Sequence, residues 1–362
     1  MTTPPRSLAD LMAHVRMIVC AGTGGVGKTT IAAALALGAA QQGRNAIVVT
    51  VDPARRLAQA LGLDSLSNEP TLVPGAGAHG GTLHAAMLDP RATFDAMITR
   101  CAHDEAQRDR ILANRFYQNI AGNLAGTHEY MAMEKLYDLA STGAYHLIVV
   151  DTPPTRDALA FLDAPRLFAR LLDNWLYKLF VTPGRGLART AAAGAHTIAR
   201  QLTRVVGAAV IDDTIAFFRS LDGIEEGFRT RANDVYRTLQ SDDSAFVLVV
   251  SPRPDTLGEA GVFASALAEA DMAVRAIVVN RVTPSFGDVE VATSRSGPAR
   301  ALADFRALAA REEREIVQFA ATLPGALLTC VPMLGHDIHD LNGLAAIAEL
   351  LLSSNDEAVS TG

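Results

Sequence analysis

The sequence predicts an α/β fold: a doubly wound, mainly parallel sheet of about seven or eight strands, with an inserted helical subdomain. Three observations predict it. Strand-like apolar runs alternate with helical patterns along most of the 362 residues. A glycine-rich loop follows the first run and opens a helix. Between Asp151 and Ala245 the strand signal stops and amphipathic helical patterns replace it.

The strand-like runs, in order, are RMIVCA at 16–21, NAIVVTV at 45–51, LHAAML at 83–88, YHLIVVD at 145–151, AFVLVVS at 245–251, AVRAIVVN at 273–280 and ALLTCVP at 326–332. They lack strict alternation, which suits strands buried on both faces by helices. In such a sheet, ligands bind at the carboxyl ends of the strands. EPTLVPGAGAHGG at 69–81 reads as a loop, and SSNDEAVSTG as a frayed tail. The organisation expected is a core over 1–155, a helical subdomain over 156–244, a second core part over 245–352 and a tail over 353–362. There is no internal repeat, so one nucleotide-binding unit is expected and not a tandem pair.

Apolar residues make up 49% and charged residues 20%, the balance of a folded globular chain. The net charge of −7 provides no field to attract nucleic acid or anionic lipid. MTTPPRSLADLMAHVR at the start has no long apolar core, and the longest apolar run, Ile31–Ala40, is too short to span a membrane, so a cytoplasmic protein is expected. Cys20, Cys101 and Cys330 are scattered without a CxxC pair, which suggests neither a disulfide framework nor a zinc site of ordinary spacing and leaves all three expected as small buried hydrophobes.

Gly22 to Thr29, GTGGVGKT, matches the G-x-x-x-x-G-K-[ST] phosphate loop in the strand-to-helix context that the motif requires. Glycines there allow backbone amides to turn inward, where they and the positive helix end hold phosphate oxygens. Gly22, Thr23, Gly24, Gly25, Val26, Gly27, Lys28, Thr29 and Thr30 form the candidate nucleotide-binding stretch. Lys28 is expected on the β- and γ-phosphates and the Thr29 hydroxyl on magnesium. Asp52, Asp151 and Asn280 each fall at the end of a later apolar strand. A carboxylate so placed can hold magnesium through water, the role expected of Asp151, and a second can orient an attacking water, the role expected of Asp52. Either aspartate alone would read as a helix N-cap. Their joint occurrence with the loop favours nucleotide chemistry.

GTGGVGKTT, TVDPARRLAQALG, LDP at 88–90, DTPPTRDALAFLDAP and VVNR, in this order, resemble the deviant phosphate-loop ATPases of the ArsA and GET type across nearly the whole chain. The resemblance implies that Asp52 lies in a first switch and that Asp151 to Thr155 form a second. It implies that Asn280 reads adenine and that the loop from Pro332 to Asp340 lines the base pocket. NRVT is not the N-K-x-D pattern that selects guanine, so ATP with Mg2+ is the expected ligand pair.

The chain also departs from the family pattern. The family loop carries a lysine where this chain has Thr23, and that lysine reaches across a dimer. Arg253 stands where targeting factors carry a glutamate, Arg156-Asp157 where they continue Gly-His, and no CxxC follows Asn280. A zinc-clamped dimer and an arsenical role are therefore disfavoured, and an asymmetric oligomer with a lysine-bearing relative is expected. The apolar stripe from Leu167 to Phe180 reads as packing of the helical insertion, with a groove for a client helix over 164–240 as the alternative. The histidines of HDIHD at 336–340 do not specify a metal by spacing alone, and the basic stretch at 185–204, with His196, reads as a helix face.

Overall fold

The computed structural model describes residues 5–52, 56–120, 127–153, 213–214, 216–217, 219–221, 223, 225–287, 297–335, 337–338 and 340–353. Eight strands form one sheet: β1 (Met17–Ala21), β2 (Asn45–Thr50), β3 (Thr71–Leu72), β4 (Thr82–Met87), β5 (Leu147–Asp151), β6 (Ser244–Val250), β7 (Val274–Val282) and β8 (Leu327–Pro332). Their order is β3-β4-β2-β5-β1-β6-β7-β8. Every pairing is parallel except β3 with β4. The central strands β1, β5 and β6 are buried along their whole length, which explains why their sequences run apolar without alternation. β3 lies within the segment that reads as a loop. Its two residues show no apolar pattern, and pairing with Ala85 and His84 of β4 makes it a strand.

The helices between these strands are α1 (Leu8–His14), α2 (Lys28–Gln41), α3 (Arg56–Ala60), α4 (Pro90–Cys101), α5 (Glu105–Ala113), α6 (Arg115–Ile120), α7 (Thr127–Thr142), α8 (Glu225–Gln240), α9 (Pro254–Glu269), α10 (Gly297–Ala321) and α11 (Leu341–Ser353). α2 is apolar almost all round and buried from Ile31 to Ala40, because it packs on the sheet with one side and on α11 with the other. Its small alanines permit that close approach. Gly43, at φ 85, turns the chain from α2 towards β2. No helix among the described residues is long and apolar enough to cross a membrane.

Backbone contacts divide the chain into two compact units. The first comprises Met1–Leu88, Asp138–Leu159 and Arg237–Gly362, and contains the sheet. Its core joins α2, the buried faces of β1, β2 and β5 to β7, and α11. The second comprises Asp89–Tyr137 and Ala160–Tyr236. Its core gathers Phe94, Met97 and Ile98 of α4, Ile111, Tyr117, Tyr130, Phe217 and Leu221. The sequence reading keeps 89–137 with the sheet, whereas these contacts put Asp89–Tyr137 with the second unit. α4 and α5 bury apolar residues against one another and against Phe217. Asp89 of the LDP segment caps α4, its side chain accepting from the Ala92 amide, with Pro90 in the first turn.

The Leu167–Phe180 stripe, Thr155, Arg156, Asp157, His196, the 185–204 stretch, His336 and His339 lie outside the described residues.

Candidate functional site

The phosphate loop leaves β1 after Ala21 and enters α2 at Lys28. Two of its glycines are there for distinct reasons. A Cβ on Gly22 would overlap the Val249 carbonyl of β6, so the loop runs closer to the sheet than any other residue allows. Gly27 has φ 97, and a Cβ there would meet the side-chain amide of Asn280. The loop is thus pressed between β6 and the end of β7.

Lys28 is buried, and its Nζ donates to the Thr23 carbonyl at 2.9 Å, closing the loop on itself. Burial lowers its pKa, and the charges of Asp151 and Asp52 oppose that shift. Register places Asp151 beside Cys20 on one side and Thr50 on the other. Its Oδ2 accepts from Thr29 Oγ1 at 2.7 Å and from Thr50 Oγ1 at 3.0 Å. Its Oδ1 is buried with no hydrogen-bond partner among the described residues. Burial pushes the Asp151 pKa up, against the two hydroxyl hydrogen bonds and the Lys28 charge. Thr50 also accepts from the Asp52 amide at 3.2 Å, so a single hydroxyl ties the two carboxylate-bearing strand ends together. Thr152 Oγ1 donates to the Cys20 carbonyl at 2.8 Å, fixing β5 to β1 at the same level.

On the other side of the loop, Asn280 Nδ2 donates to the Val26 carbonyl at 2.8 Å, and Asn280 Oδ1 accepts from the Arg281 amide at 3.0 Å. One N–H and one lone pair of the amide remain beyond these bonds. Pairing of β7 with β8 shifts register between Asn280 and Val282, and the intervening Arg281 takes φ 62. Its guanidinium donates to the Gly25 carbonyl at 3.2 Å.

These elements enclose a cleft of about 340 Å³ at the carboxyl ends of the strands. Gly24, Gly25, Gly27, Lys28, Thr29 and Thr30 line it from the loop, and Asp52 and Asp151 line it from β2 and β5. Gly22, Thr23 and Val26 stand behind that lining. The Thr23 side chain is buried at 7% exposure, with its hydroxyl lacking a hydrogen-bond partner among the described residues. Pro332 lines a different cleft, with Val282, Thr283 and Cys330, although Ile338 of the loop after β8 does reach the first one. Arg253 is exposed and pairs with Asp255 at 2.8 Å.

Thr50, Arg56 and Arg281 belong to the site and are not singled out by the sequence reading. Thr50 reads as an ordinary strand-forming threonine. Its signal is a polar residue two positions before Asp52 at the end of a buried run. Arg56 and Arg281 both line the cleft, and the charge of Arg56 is felt at Lys28.

The arrangement suits a phosphate ester with a hydrated cation. The loop brings a buried ammonium to the cleft, and Thr29 and Asp151, joined by a hydrogen bond, both line it. No group of three or more His, Cys, Asp or Glu side chains able to cage a metal occurs among the described residues.

Residues 15–296 match the family described as anion-transporting ATPase. The ATPase GET3 of Malassezia globosa is 32% identical over 161 residues, covering 44% of this chain and 46% of that protein. The ATPase get3 of Aspergillus terreus is 31% identical over 162 residues, covering 44% of this chain and 45% of its own. The matched segment thus spans a little under half the length of these curated relatives. The family match is broader than either alignment and takes in the loop, both carboxylates and Asn280; the chain belongs to the anion-transporting ATPase family.

Proposed function

We propose that this chain binds ATP with Mg2+ and hydrolyses it to drive a conformational cycle that acts on a protein client or partner. One observation carries the reading: Asp151, buried at a strand end in the lining of the phosphate-loop cleft, is held through one oxygen by Thr29 of the loop and Thr50 of the neighbouring strand. Lys28 would leave the Thr23 carbonyl for the β- and γ-phosphate oxygens, and the loop amides would hold the β-phosphate. Thr29 and, through water, Asp151 would hold Mg2+, which supplies positive charge to the phosphate oxygens. Asp52, fixed through its amide to Thr50, would orient the attacking water. Asn280 would keep the loop in shape through Val26 and use its remaining N–H or lone pair on adenine.

Thr23 supports a second reading. Its buried hydroxyl brings no charge to the phosphates, and a missing transition-state cation of the arginine-finger kind is worth ~10³–10⁵ in rate. On this reading the chain alone is an ATP-binding regulatory subunit with little turnover, and a lysine-bearing relative completes the site in an asymmetric oligomer. The test is calorimetric titration of the purified chain with Mg-ATP, followed by phosphate release from the chain alone, from Thr23→Lys, and from mixtures with such a relative. Binding that disappears in Lys28→Ala is expected. Turnover that neither Thr23→Lys nor the relative raises would discard the shared site, and absence of binding would discard the ATP reading.

A further inference from the structure

Arg281 combines three features that its neighbours do not share. It is the extra residue where β7 slips against β8, so a bulge re-aims its side chain. It has a left-handed backbone at φ 62, unfavourable for a long side chain, and such conformations persist where the surroundings impose them. Its guanidinium lies on the Gly25 carbonyl, in the wall of the phosphate-loop cleft.

Strand order says which part of a ligand this wall meets. β5 and β2, which bring Asp151 and Asp52, stand on one side of β1, whereas β6 and β7 stand on the other. The metal and terminal-phosphate end of a nucleotide therefore points towards β5 and β2. β7 lies two strands beyond β1 in the opposite direction, about 10 Å at the usual ~4.8 Å spacing. A nucleotide whose phosphates are fixed on the loop must send its nucleoside that way. Arg281 reaches back from β7 to the loop across this path, with the apolar Ile338 in the same cleft.

We propose that Arg281 is a nucleoside-positioning residue: its guanidinium plane, held by the Gly25 carbonyl, forms the face on which the base stacks. A guanidinium suits this task because it is planar, weakly hydrated and permanently charged, and so attracts the π-face of a base while still donating to a carbonyl. The proposal rests on the ATP reading above and adds to it a residue for the base, distinct from those that hold phosphate.

The experiment titrates the full chain, as wild type, Arg281→Gly and Arg281→Gln, with Mg-ATP and separately with Mg-tripolyphosphate, and records thermal unfolding of each without ligand. ATP affinity is expected to fall roughly tenfold in both variants, while tripolyphosphate affinity stays within about twofold. Glycine accepts φ 62 without strain, so Arg281→Gly is expected to unfold no earlier than wild type while binding ATP less well, a pairing that a purely structural role does not produce. Unchanged ATP affinity, or equal loss for ATP and tripolyphosphate, overturns the proposal while leaving the ATP reading intact. If wild type binds tripolyphosphate but not ATP, both the nucleoside role and the nucleotide reading fall.

Discussion

At the end of the cleft proposed for phosphate, β1, β5 and β2 run in register, with Asp151 the last residue of β5, Asp52 just beyond β2 and the loop itself following β1. At the end proposed for the nucleoside, β7 breaks register with β8, and Asn280 and Arg281 return to the loop through bonds to Val26 and Gly25. Regular strands set the position of charge at the first end. At the second, an irregularity sets the position of a planar amide and a guanidinium. The difference teaches that the loop is held from both sides, by the Asp151–Thr29 bond at one side and the Asn280 amide at the other.

The sharpest separation of the two ends comes from chemistry. Asp52→Asn is expected to lower ATP turnover by about 10²–10⁴, the usual contribution of a positioned base, with ATP affinity changed by less than about threefold. Phosphate release and calorimetry on the same preparation check this, and undiminished turnover would take water positioning away from Asp52. The next largest effect falls where the two ends meet. Gly27→Ala would combine φ 97 with a Cβ directed at Asn280 Nδ2, so it should destabilise the chain by about 2–4 kcal/mol and weaken ATP binding. Gly24 is the control: a Cβ there meets nothing within 4 Å, and Gly24→Ala should unfold in urea within about 0.5 kcal/mol of wild type. Equal midpoints for the two variants would mean that the Gly27–Asn280 contact does not hold the loop.

How much of each end was legible in the sequence follows from the same contrast. The convergence of Lys28, Thr29, Asp52 and Asp151 could be read because the loop is contiguous and because a carboxylate after a buried apolar run must emerge at the strand's carboxyl edge. The central strands could be read for a related reason: burial on both faces, complete in β1, β5 and β6, leaves an apolar run that survives without its partners, and the strands beyond them keep enough apolar residues to show as well. The eighth, Thr71–Leu72, exists only through pairing with β4 and has no pattern of its own. Thr50 escaped notice because β-branched residues are common in strands, and its bridging role depends on a register between strands 101 residues apart. Arg281 could not be re-aimed by inspection, since the bulge belongs to the β7–β8 pair and not to β7 alone. Pro332 is placed in the base pocket only by the family resemblance, and in the structure it lines another cleft, with Thr283 and Cys330.

A smaller test addresses the nucleoside side without ligand. Asn280→Ala removes the donor to the buried Val26 carbonyl and the acceptor of the Arg281 amide. The expected loss is about 1–3 kcal/mol in urea unfolding, the usual cost of leaving such groups unpaired. Hydrogen exchange should show faster opening in 22–28 than in β5. Protection lost evenly over the sheet would mean that Asn280 supports the fold at large and not the loop.

The smallest effect is expected from Asp151→Asn in the absence of nucleotide, and its sign is what matters. Burial raises the Asp151 pKa above its ordinary carboxylate value. The folded chain therefore keeps this proton over a pH window in which the unfolded chain has released it. The stability that Asp151 contributes is present below its unfolded pKa and is lost as pH rises through the folded one. Asparagine can still accept from Thr29 and Thr50 through its carbonyl oxygen and carries no charge to bury. The variant should match wild type in acid and become the more stable protein, by about 1 kcal/mol, once pH has passed that window. Mg-ATP should reverse the order, because a bound cation gives the buried carboxylate a counter-charge that the amide cannot use. Unfolding midpoints measured across pH, with and without Mg-ATP, check both signs. A variant less stable than wild type at neutral pH without nucleotide would mean that the ionised carboxylate is already satisfied by Lys28, and that the phosphate end is complete before any ligand arrives.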